Sequence, residues 1–201
     1  MDQLRVLGSG RLLIVYAMTA LGYGGTFVTF TFLTAILQDF TGFSAGNVSL
    51  ILVLYGLAIA MGNIVGGRLA NQNPAQALVV LFLLQALVLV LFSFTMISPI
   101  LTLITLVALG FLQFANVPGL QLYVVQLAMV HRPAAVDVAS ALNIAAFNLG
   151  IALGAWLGGV VVESPLGLSA TPWIGALLVA AAMLLTLWSV RLDQRRLPRA
   201  A

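Results

Sequence analysis

Cysteine and lysine are both absent from this 201-residue chain, and charge of either sign is scarce, with eight basic and five acidic residues. Without cysteine there can be no disulfide, no thiolate nucleophile and no cysteine-held metal. Histidine occurs once, as His131 beside Arg132, so no serine has an evident imidazole to activate it. No enzyme, metal or cofactor chemistry is expected. The most telling absence is local: the 62 residues from Leu69 to Val130 contain no Asp, Glu, Lys, Arg or His. A stretch that long crosses a bilayer twice, since ~20 apolar residues rising about 1.5 Å each match roughly 30 Å of hydrocarbon.

What fills the chain is apolar. Hydrophobic residues make up 62% and charged ones 6%, against about 45–50% and about 25% in soluble domains. Turn signals at Asp39 to Asn47, Asn71 to Pro74, Ser98-Pro99, His131 to Pro133 and Glu163 to Pro172 cut the apolar runs into six pieces. The spans fall at 12–36, 48–67, 77–97, 100–127, 138–162 and 171–190. Strands of a membrane barrel alternate over only ~10 residues, so these unbroken runs predict helices. The expected fold is all-α, an integral membrane six-helix bundle over 11–191, with a linker at 1–10 and a basic tail at 192–201.

All eight basic residues are arginines, and with six spans they share one side: Arg5 and Arg11, Arg68, Arg132, then Arg191, Arg195, Arg196 and Arg199. The opposite loops hold Asp39 and Glu163. The positive-inside rule then places both termini, the linker and the tail in the cytoplasm of a multi-pass protein of the cell membrane, the inner membrane of a bacterium. Its surroundings are the lipid bilayer. These arginines form a thin fringe with no basic domain behind it, so no nucleic-acid partner is expected. The first span is longer than the ~7–15-residue apolar core of a cleaved signal peptide.

An internal repeat adds a building plan. Shifted by 92 residues, Tyr55 to Ala70 overlies Phe147 to Val162 with six of sixteen positions identical, among them Gly62/Gly154, Gly66/Gly158 and Gly67/Gly159. Membrane helices commonly share small-xxx-small patterns, but here the paired Gly-Gly ends coincide as well. The topology runs the two copies in opposite directions, which makes a 3+3 inverted repeat. Gly22, Gly24 and Gly25 in the first span and Pro118-Gly119 in the fourth are expected to interrupt their helices at matching places. Such breaks are tolerated beside protein or a water-filled cavity, which makes these residues candidates for gating.

The fifth span, Asn143 to Gly159 (NIAAFNLGIALGAWLGG), together with Gly110 to Gln121 and Ala20 to Phe27, resembles the major facilitator superfamily, in its sugar and arabinose efflux branch. The likeness covers the C-terminal six-helix half of such a transporter. It implies secondary transport by alternating access, as proton antiport of sugars, nucleosides or drug-like solutes, with an N-terminal six-helix half or a second copy as partner. It also implies that the second and fifth helices lie along the seam between halves, so Gly62, Gly66, Asn143, Gly150, Gly154 and Gly158 are candidate inter-half packing residues. Gly67 to Gln76 sits at a loop motif of the family, with Asn71 and Gln72 where an acid and a base are usual. A plain turn fits better there. The different-class alternative is a non-transporting six-helix protein, a truncated remnant or a dimerising interaction module.

Two sets of side chains suit a small-molecule substrate cavity. Tyr16, Thr19, Tyr23, Phe27, Phe30 and Thr34 share an arc of about 80° at 100° per residue on the first helix, and packing against a neighbouring helix explains that arc as well. Gln113 and Asn116 share a face of the fourth and must meet protein or water rather than lipid, as cavity groups or as interhelical glue. Gln85 has no partner evident in the sequence, and Asn148 points away from the glycine stripe and needs a polar neighbour of its own. Asn73-Pro74-Ala75 copies an aquaporin tripeptide, but the second copy and the re-entrant segment are missing. Asp39 and Glu163 read as solvated helix-end acids and Asp137 as a helix-start acid.

Overall fold

The computed structural model describes residues 8–194. Arg5, Arg195, Arg196 and Arg199, and with them most of the expected linker and tail, lie outside the described residues. Within them the chain is helical, with no strand. In lipid every backbone N–H and C=O must find its partner inside the segment, which leaves helices as the form of a long apolar run. The elements are α1 (Gly10–Phe30), α2 (Leu33–Asp39), α3 (Ala45–Gln72), α4 (Pro74–Thr95), α5 (Pro99–Ala115), α6 (Val117–His131), α7 (Val136–Glu163) and α8 (Thr171–Gln194). They make six spans of membrane length: α1 with α2, α3, α4, α5 with α6, α7, and α8.

The helices run past the apolar cores that define them because local chemistry sets their ends. The Ser44 hydroxyl accepts the Asn47 N–H at 3.4 Å to start α3. Asn73 accepts the Gln76 N–H at 3.1 Å, and Pro74 opens α4 where no N–H is required. Asn73 alone therefore separates α3 from α4. Pro99 opens α5 in the same way. At the far end the Thr41 hydroxyl donates to the Met96 carbonyl at 2.7 Å, tying the two loops there, and Thr95 of α4 meets Thr105 of α5 at 2.9 Å.

Packing follows the inverted repeat. The first span lies against the fifth and sixth, and the fourth lies against the second and third. The first helix of each triplet thus packs on the second helix of the other. Both crossings are closed by glycine. A Cβ at Gly62 would stand 1.8 Å from the Phe111 carbonyl oxygen, and one at Gly66 1.9 Å from that of Ala115. Across the other crossing, a Cβ at Gly150 would fall 2.5 Å from the Ala20 oxygen, at Gly154 2.3 Å from Gly24, and at Gly158 2.7 Å from Val28. Backbones this close gain dispersion contacts, and weak Cα–H···O contacts, along the whole crossing. The glycine stripes expected at a seam with another half are therefore used up inside this bundle.

Neither expected helix break sits where the glycines suggested. α1 runs unbroken through Gly22, Gly24 and Gly25, and these residues serve packing instead. Cβ atoms there would meet the Phe82 ring at 2.5 Å, the Gly150 oxygen at 3.2 Å and the Gly175 oxygen at 2.5 Å, respectively. The first span breaks later, at Thr31-Phe32, and the fourth breaks at Asn116, two residues before Pro118. Pro118 lacks the N–H that would bond the Phe114 carbonyl, so the ladder opens just ahead of it.

Candidate functional site

Six aromatic rings form one connected wall drawn from four spans. The Tyr23 ring meets Phe147 edge-on at 4.5 Å, Phe114 edge-on at 5.8 Å and Phe27 at 6.1 Å. Phe27 meets Phe30 at 5.3 Å, and Phe30 stacks on Tyr55 at 5.6 Å. Such pairs add roughly 0.5–1.5 kcal/mol each beyond area burial. Tyr23 and Tyr55 are buried, whereas Phe27, Phe30, Phe114 and Phe147 are half-exposed and form the outer layer.

Behind the wall lie side-chain amides. The Tyr55 hydroxyl donates to Gln113 Oε1. Asn116 Nδ2 donates to Gln85 Oε1 at 2.8 Å, Gln85 Nε2 donates to the Thr26 hydroxyl, and Thr26 returns its proton to the Gly22 carbonyl at 3.2 Å. The helix break at Asn116 is thus tied to the first and third spans. Gln113 Nε2 and Asn116 Oδ1 stay buried without partners. Nearer the chain ends, Thr19 donates to Asn143 Oδ1 at 2.7 Å, Asn143 Nδ2 to Gln121 Oε1 at 3.0 Å, and Gln121 Nε2 to Ser140. Tyr16 donates to the Ala139 carbonyl at 3.2 Å. Charged groups are absent from mid-membrane: among the described residues each Asp, Glu, Arg and His stands near a span end or in a loop.

The spans flanking the wall, α3 and α7, each present three faces. One is the buried glycine face. A second carries large exposed apolar side chains, Leu50, Leu57, Met61 and Ile64 on α3 and Leu149, Leu153, Trp156 and Val160 on α7, and suits lipid. The third, roughly 100° further round at 100° per residue, is mostly small and polar: Gly56, Ala60 and Asn63, with half-buried Gly67, on α3 and Asn148, Ala152, half-buried Ala155 and half-buried Gly159 on α7, where exposed Ile144 stands at its end. The 92-residue shift that relates the two helices superposes these four positions pairwise. Asn148 finds only its own Ile144 carbonyl, at 3.2 Å. An exposed amide well inside a span is costly against hydrocarbon, so this third face calls for a cover other than lipid tails.

Of the sequence-stated cavity candidates, Phe27 and Phe30 reach the half-exposed wall and Tyr23 lies just under it. Tyr16 and Thr19 bind the fifth span instead, and Thr34 stands beyond the break on α2. Gln113 and Asn116 are interhelical, and Gln85 has two partners. Asn143 is fully buried within the bundle. Phe114, Phe147 and Tyr55 escaped the sequence reading, since a ring among many apolar residues gives no sign of which helix it meets. The offset that matched the glycines also held Gly56/Asn148 and Asn63/Ala155, and that was the available signal for the third face.

Six apolar spans in two triplets, with a polar layer inside and a small and polar face outside, define a polytopic helical membrane protein. A family model described as the Major Facilitator Superfamily matches residues 12–201, and the chain belongs to that superfamily. It is 55% identical over 194 residues to the MFS-type transporter YtbD of Bacillus subtilis (strain 168), covering 96% of this chain and 49% of that protein. It is 35% identical over 189 residues to the inner membrane transport protein YdhP of Escherichia coli (strain K12), covering 94% and 48%. It is 32% identical over 186 residues to a probable sugar efflux transporter of Helicobacter acinonychis (strain Sheeba), covering 91% and 46%. The chain spans about half the length of the curated relatives it matches.

Proposed function

We propose that this chain is one wall of a solute efflux permease of the bacterial inner membrane, working by alternating access once a second six-helix half covers its small and polar face. The observation that carries the reading is that face itself: Asn63 and Asn148 are exposed at membrane depth, on the helices that flank the aromatic wall. The partner is the N-terminal half, and both termini lie on the cytoplasmic side, as the all-arginine end argues. The substrate is a neutral amphipathic solute, a sugar, nucleoside or drug-like molecule. Stacking on Phe27, Phe30, Phe114 and Phe147, with amide donors and acceptors behind, suits such a molecule, and among the described residues no charged side chain stands there to pair with an ion. A relative named as a probable sugar efflux transporter supports this class. Coupling is by proton antiport, and its ionisable group belongs to the other half, because mid-membrane here holds none. In liposomes the chain alone should give no concentrative or proton-driven sugar flux, and flux should appear on co-reconstitution with the complementary half of YtbD. Proton-dependent uptake by the chain alone would overturn the requirement for that half.

A further inference from the structure

Away from the wall, at the end of the bundle that carries the arginines, one ion pair stands among the described residues. Arg11, one of the arginines of the thin fringe, is 7% exposed. Its Nη2 donates to Asp193 Oδ1 and its Nη1 to the Ser189 carbonyl at 3.1 Å. Tyr123 of α6 completes the cluster, donating to Asp193 Oδ2 at 2.7 Å and sitting 2.8 Å from the Ser189 hydroxyl. Both carboxylate oxygens are thereby occupied, one from the first span and one from the fourth. The geometry assigns these residues a role: Arg11, Asp193 and Tyr123 form a latch that holds α6, the segment beyond the helix break at Asn116, against the first and last spans.

The physical basis is an unequal ion pair, with the Arg11 side chain 7% exposed and that of Asp193 37% exposed. Removing Asp193 strands the buried Arg11 guanidinium and is unfavourable, whereas an Asp193 carboxylate left alone is still reached by water, and replacing both by apolar groups of similar size is close to neutral. Tyr123 adds a charge-assisted hydrogen bond, and it is the link that ties α6 in. Between Asn116 and Tyr123 the segment's other side-chain hydrogen bonds are those of Gln121 to Ser140 and Asn143, and buried Gly119 and Leu120 pack it against its neighbours. The latch acts within this bundle, so its existence does not depend on what the aromatic face binds.

The test uses the full 201-residue chain in detergent. Asp193→Leu should lower the melting temperature by several degrees and Arg11→Met by less, and the double variant should regain most of the Asp193→Leu loss. Tyr123→Phe keeps the ion pair and should change melting little. It should nevertheless speed labelling of a Leu122→Cys reporter on α6 several-fold, and because the chain has no cysteine of its own that thiol is read alone. A double variant as unstable as the two single losses added together would overturn the ion-pair half of the latch. Unchanged reporter labelling in Tyr123→Phe would overturn its hold on α6.

Discussion

Gly56 and Gly62 lie on one helix in opposite surroundings, and a single methyl group tells them apart. A Cβ at Gly62 would be driven into the Phe111 carbonyl at 1.8 Å, while one at Gly56 meets nothing within 4 Å. Helix propensity alone favours alanine at both by about 1 kcal/mol. Gly62→Ala should therefore cost the bundle about 3 kcal/mol through overpacking, read as a lower melting temperature, and Gly56→Ala should leave it equal or slightly raised. Equal melting temperatures for the two variants would contradict the packing of the second span on the fourth. The spacing of the glycines was legible in the sequence because a 3.6-residue repeat fixes an angle round the helix. Which backbone fills the space at that angle is a tertiary fact: the spacing alone suits Gly154 and Gly158 to a seam with another half, and in the bundle they close on Gly24 and Val28.

At the level of elements, the first span shows how one residue type supports two readings. Gly22, Gly24 and Gly25 weaken helix propensity as a group, yet α1 continues through them because Phe82, Gly150 and Gly175 press against that face. If Gly22 were a hinge, Gly22→Ala would stabilise the span by relieving a poor helix former. As a packing residue it should instead destabilise the bundle by roughly 1–3 kcal/mol. The double variant Gly22→Ala/Phe82→Leu should recover part of the loss, since a smaller side chain clears the 2.5 Å contact. Stabilisation by Gly22→Ala alone would restore the hinge. The fourth span was better placed from sequence, because proline removes a donor wherever it lies and its effect is local. The six spans themselves were legible for a similar reason: lipid demands long charge-free helices, a constraint written residue by residue.

On the scale of the whole molecule, the bundle is closed on some sides and unfinished on another. Leu57 and Met61 point at lipid, the glycine faces close on the first and fourth spans, and one small and polar face recurs on α3 and α7 through the inverted repeat. The overall plan was readable from the chain, but the distinction between a face used inside and a face left open needed the neighbours in place. The direct measurement is affinity pull-down of the complementary six-helix half of YtbD by this chain, comparing Gly56→Trp and Ala152→Trp with Leu57→Trp. Gly56→Trp and Ala152→Trp should lose the complex while the bundle keeps its own melting temperature, and Leu57→Trp on the lipid face should recover it like the parent. Equal recovery by all three would contradict the account and leave this face to lipid.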